Sequence, residues 1–290
     1  MTEEKLWDVV SLLKTSTDFL KQKGIDEARL NAEWMLAHVL GMKRFDLYLN
    51  FDRPVSPKER ERYRELVRRR LSGEPLQYLL GETEFFGILL KVDKRALIPR
   101  PETELLVEEI INELSKNDLP KRILEVGTGS GCIAIALAKS IQGAHLTAVD
   151  ISADALALAK ENAEITKTIE QITFVEADAL APDFAQRFAE PFDALVSNPP
   201  YIPIAEKASV QKELLHEPER ALFTQTGFEF YEKLCADAQT LLQPNALIAF
   251  ELHADGGEKV KSIAAQHGFK NIALKKDYSG HTRILLARKG

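Results

Sequence analysis

A side-chain amide followed by two prolines and a tyrosine, Asn198-Pro199-Pro200-Tyr201, stands after the apolar run Phe192 to Val196 and Ser197. The run reads as a buried strand, and Asn198 sits where it stops. Consecutive prolines fix φ twice and remove two backbone donors, so the exit is rigid and extended. An amide, two carbonyls and an aromatic ring are thereby held in a preset arrangement. Two readings are open: a Pro-rich turn that ends a strand, or a polar clamp for a planar NH2 group.

A second cluster offers the backbone rather than side chains. Glu125-Val126-Gly127-Thr128-Gly129-Ser130-Gly131 follows an apolar run and opens a helix. Glycine at such a turn lets a ligand approach the backbone, and the helix N–H groups present a positive dipole end. The spacing is GxGxG, with Cys132 where a dinucleotide fingerprint needs a third small residue, which counts against NAD. Asp150 closes the next strand, a place suited to accepting both hydroxyls of a ribose. Asp178 ends the third, where a carboxylate reaches an adenine edge. Each residue taken singly is also explained as a turn glycine, a helix cap or a solvated strand end. Jointly they mark successive strand carboxyl ends, where open α/β sheets bind ligands.

The elements that must hold these residues alternate. Strands are expected at Ile123–Val126, Leu146–Val149, Ile172–Val175, Ala194–Val196 and Ala246–Leu252, with terminal strands around Ile272 and Ile284. Helices are expected at Ile133–Ala138, Ser152–Ile165, Phe230–Leu242 and Asp255–His267. Such alternation predicts a mostly parallel sheet covered on both faces.

Residues 1–80 read instead as a small helical bundle. Leu6, Trp7, Val9, Val10 and Leu13 recur at i, i+3 spacing up to Gly24. Asp26 is placed to cap a second helix, with Leu30, Trp34, Ala37 and Val39 mostly on one side and Gly41 as its stop. Ser56-Pro57 with Glu59 is a helix start. The helix it opens carries Arg60, Arg62, Arg64, Arg68, Arg69 and Arg70 interleaved with Glu59, Glu61 and Glu65. That interleaving favours a solvated face over an RNA-binding surface. Gly81 to Val92 predicts a hairpin turning at Gly87, inside a connecting segment 81–100. Ile98-Pro99-Arg100-Pro101-Glu102-Thr103-Glu104 is stiffened by its prolines and starts a helix to Leu114, reading as a linker or as an active-site wall. The remaining chain, 101–290, is the α/β domain.

The 290 residues are 45% hydrophobic, enough for a full core. Net charge is −6, from 38 basic and 44 acidic residues, which weighs against tight nucleic-acid binding. Cys132 and Cys235 are too few for a disulfide framework, so they are expected as small buried groups in a reducing cytoplasm. No apolar run approaches membrane-spanning length. The six histidines show no metal-ligand spacing, so no metal is expected.

The acidic residue, GxGxG loop and two aspartates together resemble class I S-adenosylmethionine-dependent methyltransferases, which implies a Rossmann-like, mostly parallel sheet with an antiparallel C-terminal strand. Asn-Pro-Pro-Tyr is similar to the motif of methyltransferases acting on planar nitrogens. Its targets are amino groups of adenine or cytosine in nucleic acid, or protein glutamines. With Glu84-Phe85-Phe86-Gly87, Ile98 to Glu104 and Lys276-Asp277, Gly280 and Arg283 added, residues from about Leu71 onward resemble the HemK/PrmC family. That resemblance implies N5-methylation of the glutamine in the Gly-Gly-Gln motif of peptide chain release factors. S-adenosylmethionine would be the donor and S-adenosylhomocysteine the product. The alternatives are a base amino methyltransferase and a ribosomal-protein glutamine methyltransferase.

By the same resemblance, Glu125, Gly127, Thr128, Gly129, Ser130, Gly131, Asp150, Asp178, Ala179 and Asn198 bind the cofactor. Asn198, Pro199, Pro200, Tyr201 and Arg100 meet the substrate. The Asn198 oxygen and Pro199 carbonyl would accept from the NH2 while Tyr201 packs on its flat face. Glu125 replaces the family's usual Asp, Ala179 a frequent aromatic, and only Gly227 remains of a glycine-rich segment. The protein is expected to be a cytoplasmic monomer.

Overall fold

The computed structural model describes residues 7–115 and 121–290. The chain divides into two compact units, one of residues 1–82 with Lys212–His216, the other of 83–211 with 217–290.

The first unit is helical. It holds α1 (Val9–Gln22), α2 (Ala28–Leu40), the short α3 (Asp46–Leu49), α4 (Pro57–Leu71) and α5 (Leu76–Leu80). Leu6 lies outside the described residues; Val9 and Leu20 of α1 pack with Met35, Leu36 and Val67 in one core. Helix α4 starts as expected, with Ser56 and Glu59 exchanging side-chain and backbone bonds in a capping box and Pro57 in the first turn.

Three expectations fail here. Asp26 does not cap α2: Glu27, at φ +49°, precedes the helix, and Asn31 Nδ2 instead donates to the Asp26 carbonyl at 3.1 Å. Trp34 is 42% exposed, because α2 is apolar around most of its circumference and Arg44 covers the ring with its guanidinium. Arg70 leaves the solvated arginine face. It is buried, with Nε donating to Asn31 Oδ1 at 2.7 Å and Nη2 paired with Glu213 at 3.1 Å.

The second unit opens with a hairpin, β1 (Glu82–Phe85) and β2 (Ile88–Lys91), and then α6 (Pro101–Leu114). The alternating part follows: β3 (Arg122–Val126), α7 (Cys132–Ser140), β4 (His145–Asp150), α8 (Ala153–Thr166), β5 (Ile172–Glu176) and β6 (Phe192–Ser197). A small insertion carries β7 (Ile202–Pro203), α9 (Glu219–Leu222) and β8 (Phe223–Thr224). The chain then runs through α10 (Glu229–Leu241), β9 (Leu242–Glu251), α11 (Gly257–Gln266), β10 (Lys270–Lys276) and β11 (Thr282–Arg288).

The main sheet has the order β10-β11-β9-β6-β3-β4-β5. Pairs among β9, β6, β3, β4 and β5 are parallel, whereas β11 is antiparallel to both neighbours. The expected fold class, a parallel sheet with one antiparallel C-terminal strand, is therefore what forms. Its central strands are mostly apolar on both faces and are covered by two core clusters. Strand order reverses between β3 and β6, which opens a crevice at their carboxyl ends. No helix among the described residues is long and apolar enough to cross a membrane.

Candidate active site

A cavity of about 540 Å³ lies at that crevice. Its wall contains Gly127, Thr128, Gly129, Ser130, Asp150, Asp178, Ala179, Asn198, Pro200 and Arg100, so residues from four strand ends and the α6 lead-in converge. Glu125, Gly131, Pro199 and Tyr201 adjoin these residues in sequence but are not among those lining the cavity.

The glycine loop is held from three sides. Gly127, Gly129 and Gly131 all have positive φ, a region that penalises any side chain. A Cβ on Gly131 would stand 3.1 Å from that of Ala159, so this glycine serves the packing of α7 on α8. Asn162 of α8, fully buried, donates to the carbonyls of Ser130 at 2.9 Å and Lys91 at 3.0 Å. Asp150 accepts from Gly129 N–H and Ser152 N–H, both at 2.9 Å. Burial raises its acid above the ordinary value, while those N–H donors oppose the shift.

Glu125 was expected on the cofactor. Its side chain is instead fully buried beneath the loop, because every β3 residue after Arg122 faces a core. Thr128 Oγ1 donates to it at 2.8 Å, and its other oxygen has no hydrogen-bond partner among the described residues. Burial pushes this acid up to about 8, and neighbouring Asp150 adds to the rise. Cys132, expected in the core, is half-buried at the cavity wall, and burial pushes its thiol up to about 12. Cys235 is fully buried.

Asn198 stands at the mouth of β6, its carbonyl oxygen 3.8 Å from the place a Gly127 Cβ would occupy. Its Nδ2 donates to Thr103 Oγ1 at 3.1 Å, and Thr103 donates to Glu251 Oε2 at 2.6 Å. Tyr201 is not among the residues lining the cavity; its hydroxyl is 3.5 Å from Glu251 Oε1 and its ring 5.9 Å from His253. Burial raises the Tyr201 hydroxyl well above its usual range. Arg100 lines the cavity, but its guanidinium pairs with Glu217, which also accepts from Ile98 N–H at 2.8 Å. The stiff segment read as linker or wall is thus tied to the cavity by one buried carboxylate. No group of three or more His, Cys, Asp or Glu among the described residues could hold a metal.

Thr103, Glu251 and Glu217 were not anticipated as site residues. Each lies far in sequence from its partner, so no local pattern announces it. The only signal was a carboxylate inside the apolar run Ala246–Leu252.

Two family profiles match the chain: the PrmC N-terminal domain over residues 11–81 and the methyltransferase small domain over 101–243. A release factor glutamine methyltransferase of Chlorobaculum tepidum is 49% identical over 284 residues, covering 96% of each protein. The chain belongs to the release factor glutamine methyltransferase family. A second member, from Geobacter sulfurreducens, is 38% identical over 293 residues and covers 100% of both proteins. Among solved structures, ribosomal protein L11 methylase of Lactobacillus delbrueckii subsp. bulgaricus superposes with a TM-score of 0.50 at 24% identity, covering 69% of this chain and 86% of that one. That likeness places the sheet unit in the methyltransferase fold.

Proposed function

We propose that this chain methylates the side-chain amide nitrogen of the glutamine in the Gly-Gly-Gln motif of peptide chain release factors, with S-adenosylmethionine as donor. The observation that carries the reading is the meeting of Asn198 with the glycine loop and Asp150 in one cavity. When bound, the donor supplies an electrophilic methyl carbon on its sulfonium.

The residues present suit such a group. Asp150 uses one lone pair of each carboxylate oxygen on backbone N–H groups, leaving acceptor capacity for a ribose diol. Ser130 Oγ is buried at the cavity without a hydrogen-bond partner among the described residues, a donor and acceptor free for a ligand. Ala179, Val149 and Phe230 add apolar wall for a flat ring.

An amide nitrogen is a poor nucleophile because its lone pair is delocalised into the carbonyl. Asn198 Oδ1 takes no bond from the described residues, and with the Pro199 carbonyl it accepts from the substrate NH2. These acceptors orient the nitrogen and stabilise the positive charge that grows as the N–C bond forms. Pro199 and Pro200 keep the acceptors in place without reorganisation. Residues 1–80 would recognise the factor, 81–100 would connect, and 101–290 would carry the chemistry. A reaction on release factors is a cytoplasmic one.

The test uses the full chain, methyl-labelled donor and a release factor with or without its motif glutamine. Label is expected on the intact factor alone. Label that persists on the glutamine-substituted factor sinks the assignment.

A further inference from the structure

Asn198 can help only if its amide points the right way. An asparagine carboxamide is nearly symmetric in size, so turning it over costs little sterically, yet it replaces an acceptor with a donor. A substrate NH2 facing a second NH2 would be repelled.

Glu251 decides the orientation. It ends β9, is 1% exposed, and pairs with no cation among the described residues at ion-pair distance. An ionised carboxylate only accepts, so the Thr103 proton must point at Glu251 Oε2, 2.6 Å away. Only lone pairs of Thr103 Oγ1 are then left to face Asn198. An amide oxygen at 3.1 Å would set lone pair against lone pair, so Nδ2 must occupy that place. Oδ1 is thereby turned to the other side.

We infer that Thr103 and Glu251 are positioning residues for methyl transfer, which lock the Asn198 amide with its oxygen toward the substrate nitrogen. The inference rests on the proposed function for the identity of that nitrogen, while the hydrogen-bond order stands by itself. Protonating Glu251 would let it donate to Thr103, freeing the hydroxyl to donate to Asn198 Oδ1 and undoing the lock. Burial pushes the Glu251 acid up to about 7; Arg283 opposes that rise, Glu102 adds to it, and Tyr201, Tyr231 and Cys132 are the other titratable groups around it.

The variants are Thr103→Val, Thr103→Ser and Glu251→Gln in the full chain. Thr103→Val is expected to lower kcat about 10²-fold with donor affinity unchanged, and Thr103→Ser to stay within about fivefold of wild type. Wild-type kcat should fall as pH drops through about 7, with that step missing in the slow Glu251→Gln enzyme. The Asn198 side-chain amide signal in 15N NMR should move in Thr103→Val and not in Thr103→Ser. Wild-type turnover in Thr103→Val, or a Thr103→Ser enzyme as slow as Thr103→Val, overturns the inference. Should the wild type leave a release factor unlabelled, the proposed function fails but the NMR arm still decides. A signal unmoved in Thr103→Val overturns the lock, and one that moves there alone supports it.

Discussion

Glu33 of the helical unit and Glu125 and Glu251 of the sheet unit are all nearly solvent-free, at 3%, 0% and 1% exposure. Their surroundings differ in kind. Burial by itself would raise the Glu33 acid, but the Tyr48 hydroxyl with Arg29 and Arg44 outweighs it and holds the carboxyl below its usual range. Glu125 and Glu251 accept from hydroxyls and have no cation at ion-pair distance among the described residues, so burial prevails, even against the more distant Arg283 at Glu251, and pushes them to about 8 and about 7. A buried carboxylate ringed by arginines ties helices together. One with no cation at ion-pair distance among the described residues fixes hydroxyl and amide orientations near a cavity at some cost in stability.

The largest test of this contrast is pH. Glu125 has a folded value above its unfolded one, so its contribution is full below about pH 4.3 and is lost as pH rises through about 8. Glu125→Gln should therefore gain on the wild type as pH rises from 5 to 9, by an amount on the order of several kcal/mol. Urea denaturation across that range checks it, and parallel curves would break the contrast.

Next is Asn198→Ala, expected to cut turnover about 10²–10³-fold while the donor still binds and the melting temperature hardly moves. Asp150→Ala should act the other way round, weakening donor affinity about 10–100-fold in calorimetry through loss of charge-assisted hydrogen bonds.

In the helical unit, Glu33→Gln should cost about 1–2 kcal/mol near neutral pH, since Arg29 and Arg44 are exposed enough to be rehydrated. Its folded value is depressed, so that cost should be full above the unfolded value of about 4.3 and be lost as pH falls through the lowered folded one, the reverse of the Glu125 trend. The smallest effect is Ser56→Ala, about 1 kcal/mol from the lost cap of α4, read by thermal melting with turnover unchanged.

Local signals carried much of the fold. Alternating apolar runs and helix starts placed β3 to β6 and α7, α8 and α10 within a few residues, because each depends on burial periodicity and capping within its own segment. Ser56, Pro57 and Glu59 announced α4 for the same reason. Asp26 misled because a neighbouring residue in left-handed backbone started the helix and a downstream asparagine bonded the turn. Arg70 misled because its partners lie 39 and 143 residues away.

The site divides along the same line. The glycines, Asp150, Asp178 and Asn198 were legible because each stands at a strand's carboxyl end, and parallel pairing brings such ends to one rim. Glu125 sits one residue inside that end, and the pleat turns its side chain into the core.

By itself, then, the sequence determined the strand–helix alternation, the glycine loop and the rigid amide-bearing exit, all products of short-range sterics and periodicity. Tertiary structure alone decided that Thr103 would stand between Asn198 and Glu251, across separations of 95 and 148 residues. Hydrogen-bond direction in a dry interior is set by which groups folding brings within 3 Å, and no local pattern encodes that.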